Sequence, residues 1–303
     1  MADDPRWPRA SAWLARPDPG GRLDLAVLGI GSSATSLSPT AAHTTPAAVR
    51  AALARFSPFA ASVRMDLAAL RTADLGDVAD PDGPGGRARA IEAVVRATQR
   101  AALVLVLGGD NSVTVPAATG VRADGLVTLD AHHDLRDGSS NGSPVRELVA
   151  AGLAGGRVVQ VGVSDFANSA AYARRAADLG VRVVPREALR AGSIAQVVAE
   201  AVEVAAGGSP SARVYVDLDV DVCDRSVAPA CPASQPGGLT ADDLRQAARA
   251  AARDPRVVGI DLVEVDAAAD APDARTVRLV AACVLEVATG LALRSRPSND
   301  RPA

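Results

Sequence analysis

The chain of 303 residues is poor in cysteine, with Cys223, Cys231 and Cys283 forming no CxxC pair and following no regular spacing. A disulfide framework and a cysteine-ligated zinc site are both excluded, and a reducing cytoplasm is the expected compartment. Blocks of one charge sign are also missing: acidic and basic residues are interspersed and the net charge is −3. A polyanion binder needs a concentrated basic face, so nucleic acid is not an expected partner. No apolar run reaches the roughly 20 residues that cross a bilayer. The opening stretch, MADDPRWPRASAWLARPDPGG, has no apolar core of the kind a secretion signal needs. No membrane role is expected, residues 1–21 are expected to be a loosely ordered extension, and 294–303 a C-terminal tail. Nucleotide fingerprints are absent as well, because GIGSSA after the first apolar run lacks the full GxGxxG pattern and no GxxxxGK[ST] occurs.

Hydrophobic residues, in contrast, make up 48% of the chain and charged ones 22%, enough for a sizeable core under a soluble surface. From residue 22 onward, short β-rich runs alternate with longer stretches at helical spacing, the pattern of a sheet built from βαβ units. The predicted strands are LDLAVLGI, ALVLVLGG, GLVTLDA, RVVQVGV, VRVVP, RVYVDLDVD and VVGIDLVEV. Each is apolar enough to be covered on both faces. The predicted helices are PAAVRAALARF, RARAIEAVVRATQRAA, AYARRAADL, IAQVVAEAVEVAA, ADDLRQAARAAAR and RTVRLVAACVLEVATGLAL. One α/β domain with a mainly parallel sheet is expected over 22–293, since the Gly and Pro clusters near 80–86 and 207–210 are too short for interdomain linkers.

Ligands of open parallel sheets sit outside the carboxyl ends of the strands, so polar residues directly after apolar runs carry the interest. GLVTLDAHHDLRDG offers Asp130, His132, His133 and Asp134 in five positions. Residues 130, 132 and 134 share a face in extended chain, and two carboxylates with an imidazole suit Mn²⁺ better than zinc. The alternative is a strand end whose aspartates cap turns. RVYVDLDVDVCD places Asp217, Asp219 and Asp221 on one face of a valine-rich strand. Unpaired buried carboxylates cost several kcal/mol each, so the cluster demands cations, hydrogen bonds or exposure. Together the two clusters supply oxygen ligands for two cations with bridging carboxylates, an arrangement that activates water for hydrolysis. His43, in a Thr/Pro stretch, reads as a loop residue.

Four segments in this order resemble the signatures of the ureohydrolase family, which holds arginases, agmatinases and formiminoglutamases. They are Gly108-Gly109-Asp110-Asn111-Ser112, Asp130-Ala131-His132-His133-Asp134, DLDVDVCDRSVAPACPASQPGGLT at 217–240, and Val263-Glu264 through Asp270. The resemblance covers about 24 to 290 and implies a three-layer αβα sandwich. It also implies two Mn²⁺ per subunit, held by Asn111, Asp130, His132, Asp134, Asp219 and Asp221, with Asp217 in a position the family fills with serine. Glu264 would meet the amidine group through its forked carboxylate, and Asp134 would pass the proton of the attacking water to the leaving amine. Two departures remove histidines: Asn111 stands at a terminal metal-ligand position, which makes one site weak, and Asn141 at the proton-shuttle position.

SNGSPVREL, APACPAS and DAHHDLR look more like formiminoglutamases than the other branches. Formiminoglutamate carries two carboxylates, so its site wants arginines. Asn141, Ser143, Arg146 and Asn168, with Arg136 ranked behind Arg146, are the expected substrate contacts. The implied activity is hydrolysis of N-formimino-L-glutamate to glutamate and formamide by a cytoplasmic homo-oligomer, trimer or hexamer. A guanidino-acid hydrolase such as an agmatinase, releasing urea, is the alternative, and a metal-poor binding relative a further one.

Overall fold

The computed structural model of the chain describes residues 4–294. In chain order its elements are α1 (Ala10–Leu14), β1 (Leu23–Ile30), α2 (Thr45–Ala52), β2 (Phe59–Ala60), β3 (Met65–Asp66), β4 (Thr72–Asp77), α3 (Gly86–Arg100), β5 (Ala101–Gly108), α4 (Thr114–Gly120), β6 (Gly125–Leu129), α5 (Pro144–Ala150), β7 (Val158–Val163), α6 (Ala170–Asp178), β8 (Arg182–Pro185), α7 (Ile194–Ala206), β9 (Val214–Asp219), α8 (Ala241–Arg253), β10 (Val257–Val263) and α9 (Arg275–Leu293).

Eight strands form one parallel sheet in the order β4-β1-β5-β10-β9-β6-β7-β8, while β2 and β3 make a small separate ribbon. Helices cover both faces, as the apolar content of the central strands requires. On one side α2, α7, α8 and α9 close a core around Leu105, Val216 and Ile260. On the other, α3, α4, α5 and α6 close a second core around Val106, Leu126 and Tyr215. This is the expected three-layer αβα sandwich. The long run α9 is apolar enough to cross a membrane by length and composition, but most of it is buried inside the molecule. Its Glu286 is paired with Arg245 and Arg249 of α8.

One arrangement positions the site. β5 and β6 follow one another in sequence yet are separated in the sheet by β10 and β9. Loops leaving the carboxyl ends of β5 and β6 therefore diverge, opening a crevice over the inserted pair.

The N-terminal segment differs from expectation. Residues 1–3 lie outside the described residues, but α1 packs rather than dangling: Trp13 is 2% exposed, and the Ala10 amide donates to the Phe56 carbonyl at 2.9 Å. A five-residue helix is too short to show periodicity, and the apolar socket for Trp13 is supplied from far along the chain. Trp7 stays 55% exposed. Of the C-terminal tail only Arg294 is described; it donates to the carbonyls of Ala252 and Val257 at 2.7 and 2.8 Å. The expectation for 295–303 lies outside the described residues.

Candidate metal centre and active site

Every carboxylate-bearing segment singled out in the sequence comes to the carboxyl end of the sheet. Asp110 and Asn111 follow β5, Asp130 and His132 follow β6, Asp219 closes β9, and Glu264 follows β10. The strand bodies are buried on both faces, so the first residues free to turn polar groups toward a common point are those where each strand ends.

The floor of the site is Asp130, His132 and Asp221, whose ligand atoms all lie within 4.8 Å of one another. His132 Nδ1 is 3.0 Å from Asp221 Oδ2 and 3.3 Å from Asp130 Oδ1. The Asp130 Oδ1 atom accepts the His132 amide at 2.6 Å, while its Oδ2 is buried with no partner. Burial alone would depress the His132 imidazole, but Asp221 and Asp130 beside it push it up to about 12. The same imidazolium holds Asp221 below the ordinary carboxylate range in spite of burial. Burial, then the Asp221 charge, raises Asp130 to about 6. A proton on His132 is thus standing in for a cation. An orphaned, fully buried carboxylate oxygen in a set of two carboxylates and one imidazole fits a divalent metal of the manganese type.

Asp134 and Asp219 line the same cavity, of about 240 Å³, with Asp221 and Glu264. Burial raises Asp134 and Asp219 well above the usual carboxylate range, and Glu264 to about 8. Asp134 and Glu264 both hold left-handed backbone, φ 52° and 64°, which is costly for a side chain with a Cβ. Strain of this kind persists where the surrounding structure fixes a functional group.

The expected common face of 217, 219 and 221 is not what forms. β9 ends at Asp219 and Val220–Val222 turns into a 3₁₀ helix, so Asp221 reaches the floor by a turn, its amide donating to Asp219 Oδ1 at 2.8 Å. Asp217 lies deeper, in register with Thr128 of β6 and Asp261 of β10. Burial, then the Asp261 charge, holds Asp217 protonated well above its usual range. Asp261, raised by burial to about 6, accepts from Thr114 Oγ1 at 2.8 Å and Tyr215 at 2.9 Å. This network was missed in the sequence, although an aspartate inside the apolar run VVGIDLVEV was its signal.

Asn111 comes to the site with its amide oxygen turned away from it. Its Oδ1 lies 2.7 Å from Thr114 Oγ1, whose single proton also faces Asp261 Oδ2 at 2.8 Å, and Nδ2 donates to Asp134 Oδ2 at 2.5 Å. In this arrangement the Asn111 amide group orients Asp134. Asn141 does face the cavity: Nδ2 donates to Glu264 Oε1, and Oδ1 accepts the Leu37 amide at 3.0 Å. Asn168 lines the cavity too, but its side chain is committed to the loop, accepting the His133 amide and donating to the Ala131 carbonyl, both at 2.9 Å. His133 turns into the sheet against Gln160, 2.7 Å from its Nδ1, and His43 stays on the exposed surface.

Two expected substrate contacts lie outside the cavity. Ser143 is fully buried, its hydroxyl 2.8 Å from both the Ser140 carbonyl oxygen and Glu147 Oε1. Arg146, in α5, is folded back on the loop that precedes the helix, Nε donating to the Arg136 carbonyl at 2.6 Å and Nη2 to that of Gly138. Arg136, ranked behind it in the sequence, is the arginine that lines the cavity, together with Leu37 and Tyr172, which sequence reasoning did not single out.

Comparison with known proteins agrees with this fold. The formimidoylglutamase of Halalkalibacterium halodurans is 34% identical over 91% of this chain and 90% of its own length. The crystal structure of the formimidoylglutamase of Bacillus subtilis superposes with a TM-score of 0.90 at 28% identity, covering 98% of this chain and 95% of that one. The formiminoglutamase of Trypanosoma cruzi, solved with Mn²⁺, shares the fold with a TM-score of 0.83 at 21% identity, covering 96% of this chain and 100% of that one. The arginase family profile matches residues 23–290, the whole sandwich and every carboxylate of the site, and the chain belongs to that family.

Proposed function

We propose that this chain hydrolyses N-formimino-L-glutamate to L-glutamate and formamide. The observation that carries the reaction type is the Asp130, His132, Asp221 cluster at the floor of a cavity that also holds Glu264. The kinship with formimidoylglutamases supports the substrate. Two Mn²⁺ are the proposed complement, with Asp130, His132, Asp134, Asp219 and Asp221 as holders. One of the two ions would be held weakly, because Asn111 offers only an amide at its position. Bound divalent cations supply Lewis acidity that makes hydroxide available at neutral pH.

The chain's own groups do the rest. Glu264, strapped by Asn141, presents a carboxylate whose two oxygens match the paired N–H donors of an amidinium head, and a cation there restores its ionised form. That contact fixes the planar carbon over the floor. Water adds to the formimino carbon, and its proton passes to Asp134, whose carboxyl burial favours protonation and which Asn111 holds in place. Asp134 then delivers the proton to the glutamate nitrogen as the C–N bond breaks, leaving formamide. The three free, buried cysteines support the cytoplasm as the compartment, and a trimer or hexamer is the proposed assembly.

The test is turnover by the Mn²⁺-loaded chain of N-formimino-L-glutamate, agmatine, arginine and guanidinobutyrate in parallel, with bound metal counted in the same sample. Formamide from the first compound alone is expected. Urea from any of the others overturns the substrate, and no turnover with less than one metal per chain overturns the enzyme in favour of a binding protein.

A further inference from the structure

Asn111 lies on the turn that leaves β5, Thr114 opens α4 directly after it, and together they connect the site to the interior of the sheet. The line runs from Asp134 through Asn111 and Thr114 to Asp261 of β10. Its three contacts are all short: Asp134 Oδ2 to Asn111 Nδ2 at 2.5 Å, Asn111 Oδ1 to Thr114 Oγ1 at 2.7 Å, and Thr114 Oγ1 to Asp261 Oδ2 at 2.8 Å. Polar atoms this close need a proton between them. Asn111 places one N–H in the line and Thr114 has one O–H, which makes two protons for three contacts. Solvent does not supply the third, because Asn111, Thr114 and Asp261 are all buried. Tyr215 stands outside the line, its hydroxyl donating to the same Asp261 oxygen at 2.9 Å.

The Thr114 proton cannot serve both neighbours, and the two differ as acceptors. A hydrogen bond to a carboxylate is about twice as strong as one to a neutral amide oxygen, so Asp261 draws the proton away from Asn111. The amide that suits a Thr114 hydroxyl turned toward Asp261 is one rotated by half a turn, with Nδ2 donating to Thr114 Oγ1. That rotation exchanges nitrogen and oxygen nearly in place, and it brings the amide oxygen beside Asp134. Two acceptors then face one another across the site, an arrangement that a cation between them stabilises.

Resting on the two-ion reading, we infer that Thr114 and Asp261 are positioning residues for the weaker ion: when a divalent cation enters, the Asn111 amide turns over and the Thr114 proton swings from Asn111 to Asp261. The proton count then closes. Nδ2 of Asn111 donates to Thr114, Thr114 donates to Asp261, and the oxygens of Asn111 and Asp134 face the ion. Neither Thr114 nor Asp261 lines the cavity, so both act through the Asn111 amide.

The test reads Mn²⁺ binding to the full chain, from the electron paramagnetic resonance of free Mn²⁺ during titration, in wild type, T114V, T114S, D261N, N111A and N111A/T114V. Thermal midpoints in chelator report folding. T114V is expected to raise the dissociation constant of the weaker ion roughly ten- to hundredfold, the usual effect of removing a group that orients a metal site. T114S keeps the hydroxyl and with it the wild-type constant. D261N keeps the shape, removes the charge that draws the Thr114 proton, and weakens the same ion in the same direction. In N111A the constant rises as in T114V, and adding T114V changes nothing further, because the two residues act as one unit. An unchanged constant in either T114V or D261N, or a further rise in N111A/T114V over N111A, overturns the assignment while the metal reading stands. A wild type that binds no Mn²⁺ overturns both.

Discussion

At the scale of single residues the site is defined by which atom each side chain turns inward. Asn111 has two faces, an oxygen able to hold a cation and an NH₂ unable to, and the oxygen lies against the Thr114 hydroxyl while the NH₂ meets Asp134. Replacing it by histidine, N111H, puts an imidazole nitrogen at a position where an amide oxygen is a poor ligand. Metal retained per chain after gel filtration without added Mn²⁺ should rise, read by elemental analysis. An unchanged metal content would mean that position 111 does not border a cation site. Asp217 shows the opposite case, a residue whose identity suggested a ligand and whose neighbours make it a buried partner of Asp261.

At the scale of elements, what holds the site rigid is the packing of helices against the sheet ends. α8 begins with a capping box, Thr240 and Asp243 satisfying each other's backbone amides, and runs against α9. Gly290 sits where the two helices touch: a Cβ there would overlap the Arg249 carbonyl oxygen and approach Ala252 Cβ to 2.9 Å. Gly290→Ala adds helix propensity, yet the helices must separate, and overpacking of this kind costs about 1–3 kcal/mol. The expected result is a lower urea midpoint with an unchanged slope, and a midpoint equal to or above wild type would show that the contact relaxes freely. The exact match of α7, α8 and α9 to their predicted spans has the same origin, since long helices with one apolar stripe announce themselves. β4, α4 and α5 were not predicted. β4 is an edge strand with the polar sequence TADLGD, α4 is nearly all buried, and α5, of seven residues, is too short for its apolar spacing to stand out.

At the scale of the whole molecule, the cluster of buried carboxylates ties folding to pH and to metal. In the metal-free protein Asp130 and Asp261 are raised by burial to about 6 and Glu264 to about 8. Between the unfolded carboxylate values near 4 and those folded values, the folded chain holds protons that the unfolded chain has released. Stability therefore falls as pH rises through that window. His132, raised from 6.5 to about 12, acts in the same direction: its contribution is complete below 6.5 and is lost as pH climbs toward 12. Metal-free protein should melt higher at pH 5.5 than at pH 8. Mn²⁺ should raise the midpoint more at pH 8, because cations replace protons that are scarce there. Melting curves in chelator and in excess Mn²⁺ at the two pH values read this directly. A midpoint independent of pH in chelator would show that the carboxylates are not trapped as described.

Sequence by itself determined seven of the sheet's eight strands, their polar carboxyl ends and the candidate residues for holding a cation. Strands buried on both faces must be continuous apolar runs, and a carboxylate at the end of such a run has few uses besides a site. It could not decide among residues of equal chemistry. Arg136 and Arg146 are ten positions apart, and only Arg136 lines the cavity, because the backbone carbonyls of Arg136 and Gly138 capture the Arg146 guanidinium. α1, which carries the buried Trp13, likewise packs against segments more than thirty residues further on, and Asp217 is held protonated by burial and by Asp261, on a strand some forty residues later. Side-chain direction and protonation are set by neighbours in space, and those exist only once the sheet has closed.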